Sequence, residues 1–126
     1  MRILKSRSFD KFARKQAIPA AALIDAVARA ERGLIDADLG GRVIKQRVAR
    51  EGEGKSGGYR TLILFLSLER AVFVLGFAKN DSANISRAAL AALRGIAARI
   101  LALGAAGLEQ QVTAGELIEV QDDENL

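Results

Sequence analysis

Hydrophobic residues change their spacing along this chain, and each change predicts a different kind of element. Phe9, Phe12 and Ala13 fall at i, i+3 and i+4, one face of a helix, with Ser8 placed as its N-cap and Asp10 in its first turn. Pro19 suits the first position of a second helix, whose inner face is Leu23, Val27 and Ala30 and whose end is set near Gly33. Two short helices across a tight break predict an αα-hairpin. Ahead of them, Arg2–Lys5 is a four-residue strand signal.

From Arg42 to Lys79 the period shortens to two. Over Arg42–Arg50, Ile44 and Val48 point one way, while Lys45 and Arg47 point the other with Val43 and Ala49. Tyr59–Leu66 and Ala71–Ala78 are nearly continuous apolar runs, as expected of central strands covered on both faces. The segment between them is too short for a crossover, so they predict an antiparallel hairpin. A long helix begins near Ser86, with Leu90, Leu93, Ala97, Ile100 and Leu101 as its inward stripe and Gly104 as its stop. Leu117, Ile118 and Val120 predict a brief strand, and Asp122–Leu126 a disordered acidic tail. The expected class is α+β: an N-terminal helical hairpin, a small antiparallel β-sheet and a C-terminal helix packed on the sheet, one domain over residues 1–121.

Composition narrows the chemistry. The chain has 126 residues, 50% hydrophobic and 27% charged, which is a globular balance and one domain's length. It contains no Cys, His or Trp, which excludes a Cys/His zinc site, a thiol nucleophile, a disulfide framework and a His-based triad. The charged N-terminus lacks the apolar core of a signal peptide, and no apolar run approaches the roughly 20 residues of a membrane span. No membrane association and a cytoplasmic location are expected.

The net charge of +4 is an average over unlike parts. Residues 109–126 hold six acidic residues and no basic one, which leaves residues 1–108 at +10. Residues 40–60 contain six of the twelve glycines and the cations Arg42, Lys45, Arg47, Arg50, Lys55 and Arg60, against only Glu51 and Glu53. Gly54-Lys55-Ser56 suggests a nucleotide-binding P-loop, but Ala49 stands where the motif needs its first Gly, and a strand follows where it needs a helix.

The segment reads better as a β-hairpin arm. Lys45 and Arg47 share a strand face, and either Arg60 or Tyr59 joins them, depending on register. Glycines at 52, 54, 57 and 58 free backbone N–H groups to approach phosphate. The result is a basic groove suited to a phosphate backbone and a stacked base. The competing reading has the same charges solvating an edge strand and blocking edge-to-edge pairing. Three smaller features have bland readings: Phe77-Ala78-Lys79-Asn80 as a strand end and turn, Arg87 and Arg94 as a solvated helix face, and Asp38 as a turn residue. Asp36 and Asp38 are weak candidates for metal ligands.

Several stretches together resemble the RelE/ParE superfamily of bacterial type II toxins, in its RelE-like and HigB-like branch. They are Gly33-Leu34-Ile35-Asp36-Ala37-Asp38-Leu39-Gly40-Gly41, Ile44-Lys45-Gln46-Arg47-Val48, Gly54-Lys55-Ser56-Gly57-Gly58-Tyr59-Arg60 and Gly76-Phe77-Ala78-Lys79-Asn80. The resemblance implies a ribosome-dependent, metal-independent mRNA endonuclease that inhibits translation, needs no cofactor and is silenced by a cognate antitoxin, commonly of helix-turn-helix type. It implies that Lys45 and Arg47 are the paired basic residues of the family's strand, and that Tyr59 and Arg60 are its Tyr-Arg pair. Asn80 stands where RelE carries a catalytic arginine, and Ile85 or Ser86 where it carries a tyrosine. The catalytic set implied is therefore Lys45, Arg47, Tyr59, Arg60 and Lys79, with Arg50, Lys55 and Asn80 binding RNA phosphate. With no His, proton transfer falls to Lys, Tyr or a carboxylate, and a lysine base needs its pKa lowered by neighbouring cations. The alternatives are a ParE-like toxin that binds gyrase without cleaving RNA, and an inactive RelE-like binding module.

Overall fold

The computed structural model describes residues 1–50, 54–78 and 85–121, with the backbone alone at residues 50 and 54–57. In chain order the elements are β1 (Arg2–Ser6), α1 (Arg7–Lys15), α2 (Ala20–Glu31), β2 (Ala37–Asp38), β3 (Val43–Arg50), β4 (Gly54–Leu66), β5 (Arg70–Phe77), α3 (Arg87–Leu101), α4 (Ala105–Thr113) and β6 (Leu117–Glu119). The strands form one six-stranded sheet in the order β2-β3-β4-β5-β1-β6. Its neighbours are antiparallel except β1 and β5, which run parallel with Leu4 opposite Val72. The fold is thus α+β, with a mostly antiparallel sheet.

Each sheet face has its own core. Alternation along β3–β5 sends Ile44, Val48, Tyr59, Ile63, Ala71 and Phe73 to one side, where Phe9 and Ala13 of α1 and Leu23, Ala26, Val27 and Ala30 of α2 cover them. The other side holds Leu4, Val43, Leu64 and Val72 under Ala97 and Leu101 of α3 and Leu108 of α4. The expected stripe of α3 is therefore its packing face. On the first side the rings interlock: Phe9 lies 5.1 Å from Phe73 between centroids, and Phe12 meets Tyr59 edge-on at 5.8 Å.

The helix ends depart from the expectation in instructive ways. Ser6, not Ser8, caps α1: its hydroxyl accepts the Phe9 N–H at 3.2 Å, because the chain is still extended at Ser6 and turns helical at Arg7. Pro19 is the extended residue ahead of α2 and not its first helical one. Gly33 does end α2. With φ of +84°, it lets its own N–H reach the Ala30 carbonyl and that of Leu34 reach Arg29, a Schellman closure. Ala17 makes the same closure after α1 at φ +55°, where a side chain is strained. Gly104 begins a helix that the sequence pattern does not announce, α4, and is not a terminal stop. Val120 lies just past β6, and its N–H donates to the Ile3 carbonyl at 2.9 Å.

Among the described residues no single helix is long and apolar enough to cross a membrane. The described acidic residues of the C-terminal segment pair elsewhere than on the basic strand. Glu109 and Glu119 both pair with Arg2, whose guanidinium their hydrogen bonds raise above its usual pKa, and Glu116 reaches Arg7 at 3.5 Å. The sheet order puts β6 four strands from β3, about 19 Å at the usual strand spacing of about 4.8 Å. That exceeds the Debye length of about 8 Å at physiological salt, so Glu119, on β6, does not screen the groove. Asp122–Leu126 lies outside the described residues.

Candidate nucleic-acid interface

The register of β3 on β4 decides which residues meet. Arg47 stands directly opposite Arg60 and Lys45 opposite Leu62, while Val48 stands opposite Tyr59. Cross-strand partners share a face, so Arg60 joins Lys45 and Arg47 and Tyr59 does not. These three cations, with Asp36 and Ala37, border a shallow depression of about 340 Å³. It lies on the α3 side of the sheet.

Tyr59 is buried on the other side, 4% exposed, where its hydroxyl donates to the Gln16 carbonyl at 3.3 Å. The aromatic ring on the cation face is Phe77, opposite Arg60 on β5. The adjacent Gly76 confirms this orientation, since a Cβ there would lie 2.5 Å from the Phe12 ring on the helical-hairpin side. Sequence reasoning sought the aromatic partner on β4 and missed Phe77. The signal lay in the alternation of β5, which a one-residue bulge interrupts between the pairs at Leu62 and Ile63.

A second bulge shifts the β3–β4 register between Val48 and Arg50. Ala49, expected beside Lys45 and Arg47, instead borders a cavity of about 530 Å³ at the α1–α2 corner, with Ala17 and Tyr59. That cavity is larger, but among the described residues its lining has one cation, Lys15, and it lies across the sheet from the cluster. Gly58 is required at this bulge for packing, since a Cβ would lie 2.0 Å from the Val48 carbonyl oxygen.

Arg47 is held on three sides. Its backbone N–H donates to Asp36 Oδ2 at 2.6 Å, and its Nε and Nη2 donate to Asp36 Oδ1 at 3.3 and 3.2 Å. Its carbonyl accepts from Nη2 of Arg29, a buried α2 residue whose Nε pairs with Asp25 at 3.1 Å. Burial pushes the Asp36 carboxyl pKa up. The Arg47 N–H, guanidinium and charge, with the charge of Arg29, outweigh that and hold it below the ordinary carboxylate value. Asp36 is thus an arginine's partner. Asp38 accepts the Gly40 N–H at 2.9 Å, the turn role expected of it, and no group of three potential ligands converges among the described residues.

Arg87 and Arg94 are exposed, as expected of the solvated face of α3, and Arg94 also makes a tertiary contact. Its guanidinium donates to the Leu39 carbonyl and its stem packs over Gly41, tying α3 to the β2–β3 turn. The side chains of Arg50 and Lys55, and Lys79 and Asn80 altogether, lie outside the described residues.

An arginine pair face to face across an antiparallel ladder is a local electrostatic cost, which a bound anion relieves. Such a surface can hold an anion beside an aromatic ring, on a mostly antiparallel sheet with α3 and α4 on the same face and the αα-hairpin on the other. No curated protein matches the sequence. The family model described as the RelE toxin of the RelE/RelB toxin–antitoxin system matches residues 1–120. The chain belongs to the RelE toxin family, and as such is a toxin with a cognate antitoxin.

Proposed function

We propose that this toxin cleaves messenger RNA on the ribosome, with the RNA's own 2′-hydroxyl as nucleophile and no metal. The observation that supports the reading best is the Arg47–Arg60 cross-strand pair with Lys45 beside it, three cations around one depression. In the reaction the O2′–P bond forms and the P–O5′ bond breaks, which leaves a 2′,3′-cyclic phosphate and a 5′-hydroxyl. The O2′ proton leaves to a base, and a proton reaches O5′. Negative charge gathers on the phosphoryl oxygens, and fixed guanidinium donors aimed at them stabilise the transition state more than the ground state.

In this reading Arg47 and Arg60 hold the phosphoryl oxygens and Lys45 the adjoining backbone. Phe77 offers a face for a flanking base. Lysine amines, Lys45 or Lys79, carry the protons, and Arg50, Lys55 and Asn80 extend the RNA contact. Tyr59 acts from the core as a brace for β4. The ribosome contributes orientation by presenting the message extended, which lowers the entropic part of the barrier.

The test is induced expression of the wild type and of a Lys45→Ala/Arg47→Ala/Arg60→Ala variant, with mapping of mRNA 5′ ends. New ends bearing 5′-hydroxyls are expected with the wild type alone. If the wild type generates none, the nuclease reading is wrong.

A further inference from the structure

Among the described residues one carboxylate, Asp36, sits beside the cations, and its geometry gives it a task. β2 covers the edge of β3 only at Ile44 and Lys45. At Arg47 the edge N–H has no strand partner there, and Asp36 takes it with one oxygen while taking the guanidinium of the same residue with the other. Both ends of Arg47 are therefore tied to a single carboxylate. Asp36 is fixed in turn: its N–H donates to Oε1 of Gln46 at 3.1 Å, and Gln46, fully buried, donates from Nε2 to the carbonyls of Ala26 and Leu34 at 2.9 and 3.0 Å. Asp36 is thereby fastened to α2 through a side chain with no freedom of its own.

A guanidinium has five N–H donors in a rigid fork. The contacts to Asp36 use Nε–H and one hydrogen of Nη2. Both hydrogens of Nη1 and the second of Nη2 remain on the edge away from Asp36. An unclamped arginine opposite Arg60 would swing away from the like charge.

We infer that Asp36 is the positioning residue of this site: it holds the Arg47 guanidinium with its free edge turned to a phosphate of RNA. This rests on the nuclease reading above for its functional consequence, but the clamp itself does not. Asp36 also lowers the net charge of the cluster. Its removal should therefore strengthen RNA binding while weakening cleavage, and loss of a merely structural residue would not split the two in that way.

The variant is Asp36→Asn, which keeps an acceptor for the Arg47 N–H and removes the charge that holds the guanidinium. Binding is measured by fluorescence anisotropy with a single-stranded 2′-O-methyl oligonucleotide, which cannot be cleaved. The expected result is affinity about 2- to 5-fold tighter than the wild type, with a salt slope steeper by about 0.7, the value of one more phosphate contact. On ribosomes programmed with message, the cleavage rate at saturating toxin should fall at least about 10-fold. NMR adds a readout independent of RNA: the Arg47 Nε–H exchanges slowly in the wild type and rapidly in Asp36→Asn. Arg47→Lys, which keeps the charge and loses the fork, should lose as much cleavage, and the double variant should be no worse than either single one. Wild-type cleavage by Asp36→Asn, parallel losses of affinity and rate, or an unchanged Nε–H exchange rate would each overturn the inference. A wild type that cleaves nothing overturns the nuclease reading instead, and the exchange measurement still decides the clamp.

Discussion

Replacing Gln46 by Leu removes a buried polar hub at nearly constant volume. In the native fold this side chain has no exposed surface and makes three hydrogen bonds, to the carbonyls of Ala26 and Leu34 and from the N–H of Asp36. Ala26 lies inside α2, so its carbonyl keeps a helical partner. Leu34 and Asp36 lie between elements and have no such reserve. The hydrogen bonds at Leu34 and Asp36 are only part-buried, so water can reach these groups and the loss is that of the three hydrogen bonds, about 0.5–1.5 kcal/mol each or about 1.5–4.5 kcal/mol together. The apolar side chain returns about 1–2 kcal/mol of that by burying more carbon. A net loss of about 1–2 kcal/mol, the middle of that difference, is a sizeable part of a typical domain stability of about 5–15 kcal/mol. With a urea m-value of about 1–3 kcal/mol/M, the midpoint should fall by about 0.5–1 M, read by circular dichroism at unchanged m. Lys45→Ala, a half-buried position with no such network, should shift it by less than about 0.5 M. A Gln46→Leu midpoint within 0.2 M of the wild type, estimated against about 0.1 M of ordinary scatter, would mean that water satisfies these groups and that Asp36 is not anchored through Gln46.

Four further outcomes follow from other parts of the molecule. Arg60→Ala should flatten the log–log salt dependence of single-stranded RNA binding by about 0.7, and an unchanged slope between 50 and 200 mM salt, the range in which such contacts are conventionally read, removes Arg60 from the interface. Burial raises the Asp10 carboxyl pKa, but Lys5 at 2.9 Å and Arg14 at 2.7 Å hold it below 3.8, as Arg47 does for Asp36. Depressed folded values mean stabilisation that is complete above the ordinary carboxylate range and lost as pH falls through the folded values, so Asp10→Asn should make the acid limb of thermal stability shallower below about pH 5, and coincident limbs refute this. Ala17→Gly should raise stability by about 0.5–1 kcal/mol, because glycine adopts the left-handed closure after α1 without strain; a lower melting temperature contradicts it. Gly58→Ala should cost about 1–3 kcal/mol or more by forcing the Val48 carbonyl away, whereas a role confined to phosphate approach would leave the melting temperature unchanged.

What was legible in the sequence was whatever depends on local period. The stripe of α3, the inner residues of α2, the opposite facing of Ile44 and Lys45, and the stop at Gly33 all follow from spacing and one turn residue. Pairing between distant segments was not legible. Arg2–Lys5 looks like a marginal strand, yet as β1 it lies inside the sheet, parallel to β5 and antiparallel to β6, because both its partner strands arrive much later in the chain. The α4 helix was hidden for a local reason: it starts at Gly104 and contains Gly107, residues that punctuate helices more often than they build them. In the candidate site the cation pair on β3 was readable by parity, but its partner on β4 was not. The irregularity between Val48 and Arg50 takes up three residues of β4, since Tyr59 faces Val48 while Gly54 faces Arg50, and that odd shift decides between Arg60 and Tyr59. Asp36 was visible as a carboxylate and was weighed as a metal ligand, since nothing in sequence shows that its neighbour eleven positions on is an arginine folded back against it.

The same topology weighs against the plainest explanation of the charges, that they protect an edge strand. Charges that blunt an edge sit on the outermost strand. β2 is outermost here, and β3 is second. Arg47 does sit at a short open stretch of edge, since β2 stops short of it and Asp36 occupies its N–H. Arg60 has no such account. It lies on β4, between β3 and β5, paired with Arg47 on one side and Phe77 on the other. An arginine in mid-sheet, facing another across the ladder, works against stability unless something negative is meant to lie over both. Asp36 offsets one of the two charges and leaves the other. Among the described residues no carboxylate pairs with Arg60, so Arg60→Gln, which removes the charge and keeps a polar side chain, should raise the melting temperature by a degree or two, roughly the 0.2–1 kcal/mol of a relieved like-charge pair. It should abolish RNA cleavage in the same protein. A variant that is destabilised instead would show that the Arg47–Arg60 pair is held by the fold's own contacts, and the argument from electrostatic cost to anion binding would fail with it.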